Sequence, residues 1–137
     1  MAIDNKTKQL LIESALSARK AAYTPYSHFQ VGAALLTKAG KIYSGCNIEN
    51  GAYSPTNCAE RTAFFKAVSE GEREFAAIAV VGGQEGGELR AQCAPCGVCR
   101  QVMQEFCGPD FEIVLGNDLQ SSKTYTLAEI LPLGFDL

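Results

Sequence analysis

Phe75-Ala76-Ala77-Ile78-Ala79-Val80-Val81 is nearly unbroken apolar sequence, and Phe111-Glu112-Ile113-Val114-Leu115-Gly116 repeats that character after a helix-sized interval. Strands that read as apolar runs are buried on both faces, as in parallel sheets covered by helices. The interval supplies the crossover: a glycine-rich loop over Gly82–Gln92, then a short helix beginning near Cys96 and ending by Gly108. Upstream, Leu10, Leu11, Ala15, Leu16, Ala18 and Ala22 give residues 4–22 a one-sided helical pattern with Asp4 as cap. Pro25 ends it. Phe29–Thr37 and Ile42–Ile48 read as two strands of a hairpin around Lys38-Ala39-Gly40-Lys41. A turn-rich loop covers Glu49–Thr56, and a helix runs from about Asn57, a candidate cap, to Ser69, with Gly71 just beyond. Thr124–Thr126 is a short edge strand, and Leu127–Leu131 a last helical turn before Pro132. The order α-β-β-α-β-α-β with a short β-α tail predicts an α/β fold. It is a three-layer α/β/α sandwich around a mixed five-stranded sheet. Ligands in such folds sit beyond the carboxyl ends of strands, where helices begin.

Length and composition narrow the function. The 137 residues suit one domain, and 47% hydrophobic residues can build a normal core. A net charge of -3 and a sequence pI near 5.2 argue against a phosphate-tracking surface. The N-terminal stretch carries Asp4, Lys6, Lys8 and Glu13, unlike a signal peptide, and no apolar run approaches the ~20 residues that span a bilayer. A cytoplasmic protein with no nucleic-acid or membrane partner is the expectation. Six cysteines without a secretion signal point to metal binding before disulfides.

Cys58-Ala59-Glu60 and Pro95-Cys96-Gly97-Val98-Cys99 carry the chemistry. Three cysteines offer soft thiolates, which favour zinc. A structural site wants a fourth Cys or His; three ligands leave a position open for water. Glu60, two residues from Cys58, is placed to move protons on and off that water. Cys96 and Cys99 share one helical face, and Cys58 and Cys96 both fall at predicted helix starts. There the helix dipole stabilises thiolate. Three thiolates outweigh the charge of Zn²⁺, so a neighbour must withdraw charge. Arg61 is the first candidate for donating to a thiolate sulfur, and Arg100 the second. The plainer alternative leaves both on solvated helix faces. Cys46 and Cys107 read as small buried apolar residues. Cys93 is a weaker ligand candidate, because Pro95 fixes the chain's approach to Cys96. His28, the single histidine, reads as solvent-facing or structural, since three cysteines already fill the site.

The two motifs match the signature of zinc-dependent base deaminases, in its three-cysteine form. Two further segments occur in the same order: Phe29-Gln30-Val31-Gly32-Ala33-Ala34 and Gly45-Cys46-Asn47-Ile48-Glu49-Asn50. Together they make the chain resemble, through essentially its whole length, a cytidine deaminase of the small, homotetrameric type. The resemblance implies one cytidine deaminase domain over 1–137 and one zinc per chain on Cys58, Cys96 and Cys99, with Glu60 as proton carrier. It implies hydrolysis of cytidine and deoxycytidine to uridine and deoxyuridine with release of ammonia, a pyrimidine-salvage step. It assigns Phe29 to the pyrimidine ring, Asn47 and Glu49 to the ribose 3′-hydroxyl, the Ala59 N–H to the base carbonyl and the Ala94 carbonyl to the leaving amine. Ala94 stands where many relatives carry Ser, a change that a backbone role survives. Ala52, Tyr53 and a C-terminal Phe, for which Phe135 is the candidate, would reach a neighbouring subunit's site. The active sites of the homotetramer would then be composite.

Residue chemistry agrees with these roles. Asn47 donates and accepts, and Glu49 accepts from a hydroxyl. A site built to bind a sugar hydroxyl rejects analogues that lack it. Each residue also has a plain structural alternative: Phe29 as core, Asn47 as a turn residue, Tyr53 as loop packing, Phe135 as a hydrophobic plug. Among rival functions, a nucleoside-antibiotic deaminase of the blasticidin type shares the zinc motifs, but the Asn47/Glu49 segment favours an ordinary nucleoside. A deaminase of bases in RNA or DNA lacks the basic channel it would need. A non-catalytic zinc or RNA-binding module would want a saturated four-ligand site. A redox protein using Cys96-Gly97-Val98-Cys99 would leave Cys58 and Glu60 unexplained.

Overall fold

The structure is a computed structural model that describes residues 2–137. Its elements follow the predicted order: α1 (Asn5–Arg19), β1 (Phe29–Thr37), β2 (Ile42–Cys46), α2 (Ala59–Ser69), β3 (Phe75–Gln84), α3 (Gly97–Phe106), β4 (Glu112–Leu115), β5 (Lys123–Thr126) and α4 (Leu127–Ile130). The five strands form one sheet in the order β2-β1-β3-β4-β5. β3 and β4 pair in parallel, with Ile78 opposite Ile113, and the other neighbours are antiparallel. The crossover through α3 is what makes that single pairing parallel.

Alternating side chains divide the core into two layers. Ala33, Leu35, Ile78, Val80, Ile113 and Leu115 face α2, α3 and α4, meeting Ala63, Phe64, Met103 and Leu127. Ala34, Leu36, Ala77, Ala79, Val81 and Val114 face α1 and its Leu11, Ile12 and Ala15. Both sheet faces are therefore covered, which explains the unbroken apolar sequence of β3 and β4. The α1 side is lined with small residues, so the helix lies close. A Cβ on Gly32 would stand 2.0 Å from the Ala15 carbonyl oxygen, a position only glycine can fill.

Several boundaries differ from expectation. Asp4 caps α1 by accepting from the Thr7 N–H at 2.8 Å, but the helix ends at Arg19 rather than near Ala22. Tyr23 leaves it to exchange backbone hydrogen bonds with Asn47 and Glu49. β2 stops at Cys46, and Ile48 instead exchanges two hydrogen bonds, each 2.9 Å, with Asn57. That pairing holds Asn57 extended, so Cys58, not Asn57, occupies the N-cap position of α2. β3 runs on through Gly82 and Gly83 to Gln84. Cys93 and the Glu88–Leu89 backbone pack so close to those two glycines that a Cβ on either would stand 2.6 or 2.5 Å from them. Among the described residues, no helix is long and apolar enough to cross a membrane.

Candidate active site

Cys58 and Cys96 are the N-cap residues of α2 and α3, and Cys99 lies one turn into α3. The two helices thus bring their positive ends to one place. The Cys58 and Cys96 sulfurs are 3.8 Å apart, those of Cys96 and Cys99 3.6 Å, and all three lie within 4.8 Å of one another. Tetrahedral zinc with Zn–S bonds of about 2.3 Å requires sulfur separations of about 3.8 Å. The cluster fits one zinc ion per chain, and no other group of three such side chains gathers among the described residues. Cys93 is not in it. Burial pushes its thiol up to about 11 and that of Cys107 up to about 12, and neither sulfur gathers with the other three. Cys46 and Cys107 are half-buried rather than fully enclosed.

The Cys58 and Cys99 thiols share a proton. The Cys58 thiolate accepts from Cys99 and from Arg61, which brings it down to about 5, while Cys99 is held high because its proton serves Cys58. Cys58, Cys96 and Cys99 would hold zinc as thiolates, giving up their protons to do so. Arg61 donates from Nη2 to the Cys58 sulfur at 3.3 Å. Its Nε is buried without a protein partner. That geometry is compatible with the charge-withdrawing role expected for Arg61. Arg61→Ala is expected to lower zinc affinity or turnover about 10–100-fold, measured by zinc competition and by initial rate. Unchanged values for both would remove Arg61 from the site's design. Arg100 does not share the role. It donates to the Pro95 carbonyl at 2.8 Å and the Ile130 carbonyl at 2.6 Å, tying the start of α3 to the end of α4.

Glu60 lies on the first turn of α2 and is 4% exposed. Burial pushes its carboxyl up to about 7, with the neighbouring Cys58 adding to the shift. An acid that exchanges its proton near neutral pH suits a shuttle.

The predicted sugar and base residues lie along one connected segment. Asn47 Oδ1 accepts from the Val31 N–H at 2.9 Å, and its Nδ2 donates to the Phe29 carbonyl at 2.8 Å. Next to it, Ile48 pairs with Asn57, the residue before Cys58. Phe29 and Asn47 are thereby brought together, and their segment is joined to the metal-binding helix. Glu49 accepts from the Tyr26 N–H at 3.0 Å, the Ser27 N–H at 3.2 Å and the Ser27 hydroxyl. Ser27, foremost through its hydroxyl, holds the Glu49 carboxyl below the usual range. Sequence reasoning did not single out Ser27, since a serine in a turn carries no signal of a partner 22 positions away. Asn47 still has one N–H and one lone pair free, and Glu49 about one acceptor site. A ribose hydroxyl needs no more than that. Ala59 is fully buried at the start of α2. Ala52, Tyr53 and Phe135 stand apart, all exposed, Tyr53 with 82% of its surface free and φ at 64°. The tail folds back on α3, where Gln101 donates to the Phe135 carbonyl at 3.0 Å, leaving the ring outward. His28 is a surface residue with its Nδ1 3.5 Å from Glu85. A cavity of about 660 Å³ lies away from the cluster, among Phe106, Cys107 and Phe111 at the other end of α3.

The fold and the three-thiol cluster define a zinc-dependent deaminase, and comparison with known proteins agrees. The family model of the cytidine and deoxycytidylate deaminase zinc-binding region matches residues 5–115, and the chain belongs to that family. It is 52% identical over 128 residues to a cytidine deaminase of Halalkalibacterium halodurans, covering 93% of both chains. It is 54% identical over 125 residues to one of Sporosarcina psychrophila, covering 91% of this chain and 88% of that one. The crystal structure of cytidine deaminase from Burkholderia pseudomallei superposes with a TM-score of 0.83 at 50% identity, covering 92% of this chain and 97% of that one. A blasticidin-S deaminase of Bacillus cereus is more distant, at 33% identity.

Proposed function

We propose that this chain hydrolyses cytidine and deoxycytidine to uridine and deoxyuridine, releasing ammonia, as a pyrimidine-salvage enzyme of the cytoplasm. The observation that carries this is a three-sulfur cluster of zinc dimensions with a buried carboxyl, Glu60, on the first turn of the helix that Cys58 caps. When bound, zinc supplies a Lewis acid that makes water nucleophilic at neutral pH. Glu60 takes the proton that the attacking water gives up and delivers it to the ring nitrogen beside the reacting carbon. It then takes the remaining proton from the hydroxyl added at that carbon and passes it to the amine, which leaves as ammonia as the carbon–nitrogen bond breaks and the carbonyl of uridine forms. The Ala59 N–H donates to the base carbonyl, and the Ala94 carbonyl accepts a hydrogen bond from the N–H of the leaving amine. Phe29 covers a face of the pyrimidine, and Asn47 and Glu49 fix the 3′-hydroxyl with their remaining hydrogen-bonding capacity. Cys46, Cys93 and Cys107 take no part.

The functional unit in this reading is a homotetramer. In a single chain Cys96 is exposed and Val98 is 58% exposed beside it. An active site of this kind works best when closed to bulk water. Ala52, Tyr53 and Phe135, outward-facing on each chain, would complete the site of a neighbour.

The substrate assignment is tested by competition. With cytidine and blasticidin S at equal concentration, cytidine should be consumed first, because the Asn47/Glu49 pair is arranged for an ordinary ribose. Preferential loss of blasticidin S would overturn the assignment.

A further inference from the structure

The ring assigned to the pyrimidine does not stand alone. The guanidinium carbon of Arg90 lies 5.1 Å from the centroid of the Phe29 ring, inside the ~6 Å range of a cation–π contact. No carboxylate pairs with Arg90 among the described residues, so the ring is the partner its charge has. The backbone carrying Arg90 is held in place. Its N–H donates to the Gly82 carbonyl at 2.8 Å, and Leu89 forms a bridge with Gly83. Only a glycine at position 83 lets the chain return so closely, since a Cβ there would stand 2.5 Å from the Glu88 carbonyl oxygen. The same return is pinned to the start of β1. The Glu85 N–H donates to the His28 carbonyl at 2.7 Å, and Arg19 donates to the carbonyls of Gln30 and Gly83, both at 2.8 Å.

We propose that Arg90 is a positioning residue for the nucleoside: its guanidinium covers one face of the Phe29 ring and presents the other face to the pyrimidine. The inference rests on the base-packing role of Phe29 given above. A cation on one face holds the ring in one orientation before substrate arrives. It also draws π density toward itself, which lessens repulsion between the opposite face and the π cloud of the base. Neither effect acts on the reacting atoms, so binding changes and the chemical step does not.

The test is steady-state kinetics on cytidine with zinc-loaded enzyme, comparing Arg90→Ala, Arg90→Lys, Phe29→Ala and the Arg90→Ala/Phe29→Ala double variant at equal zinc per chain. Arg90→Ala should raise KM about two- to fivefold with kcat within about twofold. Arg90→Lys should recover most of that loss, and the double variant should be no worse than Phe29→Ala. An Arg90→Ala KM that is unchanged or lowered, a loss confined to kcat, or an additive double variant would overturn the role of Arg90 while leaving Phe29 in place. A lowered KM would show Arg90 occupying the face the base needs. Phe29→Ala with unaltered KM would instead overturn the base-packing role on which the inference stands.

Discussion

Glu60→Gln should keep one zinc per chain and lose about 10²–10⁴-fold in kcat. The substitution preserves shape and removes only the ability to take up and release a proton. Folding should tolerate it, because the site already disfavours the charged form: the carboxyl is 4% exposed and burial pushes it up to about 7. Zinc should be retained because Glu60 is not one of the three clustered ligands. Loss of turnover with intact metal separates a proton carrier from a structural acid. Zinc content by elemental analysis and turnover of cytidine, measured on the same preparation, read both halves. A Glu60→Gln protein with near-normal kcat would end the proposed mechanism.

Cys96→Ser should have the opposite signature, a folded chain without metal. Cys96 is exposed, so the change opens no core cavity, and serine is a good residue at the N-cap position that Cys96 fills. Its side chain already accepts from the Cys99 N–H at 3.5 Å, a bond a hydroxyl makes better. Yet serine offers no ionised soft donor. If tight thiolate sites are worth roughly 10–16 kcal/mol, losing one of three ligands removes roughly 3–5 kcal/mol, on the order of a thousandfold in zinc affinity. Dialysis against a mild chelator should strip this variant and not the parent, and activity should vanish with the metal. Helix content by circular dichroism should not change. A Cys96→Ser chain that held zinc and turned over normally would show that the cluster is not the metal site.

Much of this was legible in the sequence because the informative residues act locally. The spacing of Cys96 and Cys99 fixes both on one turn of α3, and the apolar runs of β3 and β4 state their burial directly. β1 was read to its exact ends because Phe29–Thr37 is bounded by a turn on either side. What escaped the sequence depends on partners far along the chain. Nothing in residues 18–23 announces that Tyr23 will bond to Asn47, so periodicity carried α1 too far. Asn57 looks like a cap until Ile48 claims its backbone. Arg61 and Arg100 occupy equivalent places beside the two motifs, and only the fold shows that one meets a sulfur and the other two carbonyls. Arg90 lies in a glycine-rich loop whose return onto Phe29 has no sequence signature apart from Gly82 and Gly83.

Ultraviolet absorbance of cytidine incubated with the purified protein, before and after metal removal by a chelator and again after zinc is restored, tests the central claim most directly. Conversion to uridine that stops on chelation and returns with zinc is the predicted result. A folded protein verified to carry one zinc per chain that leaves cytidine and deoxycytidine unchanged would contradict it.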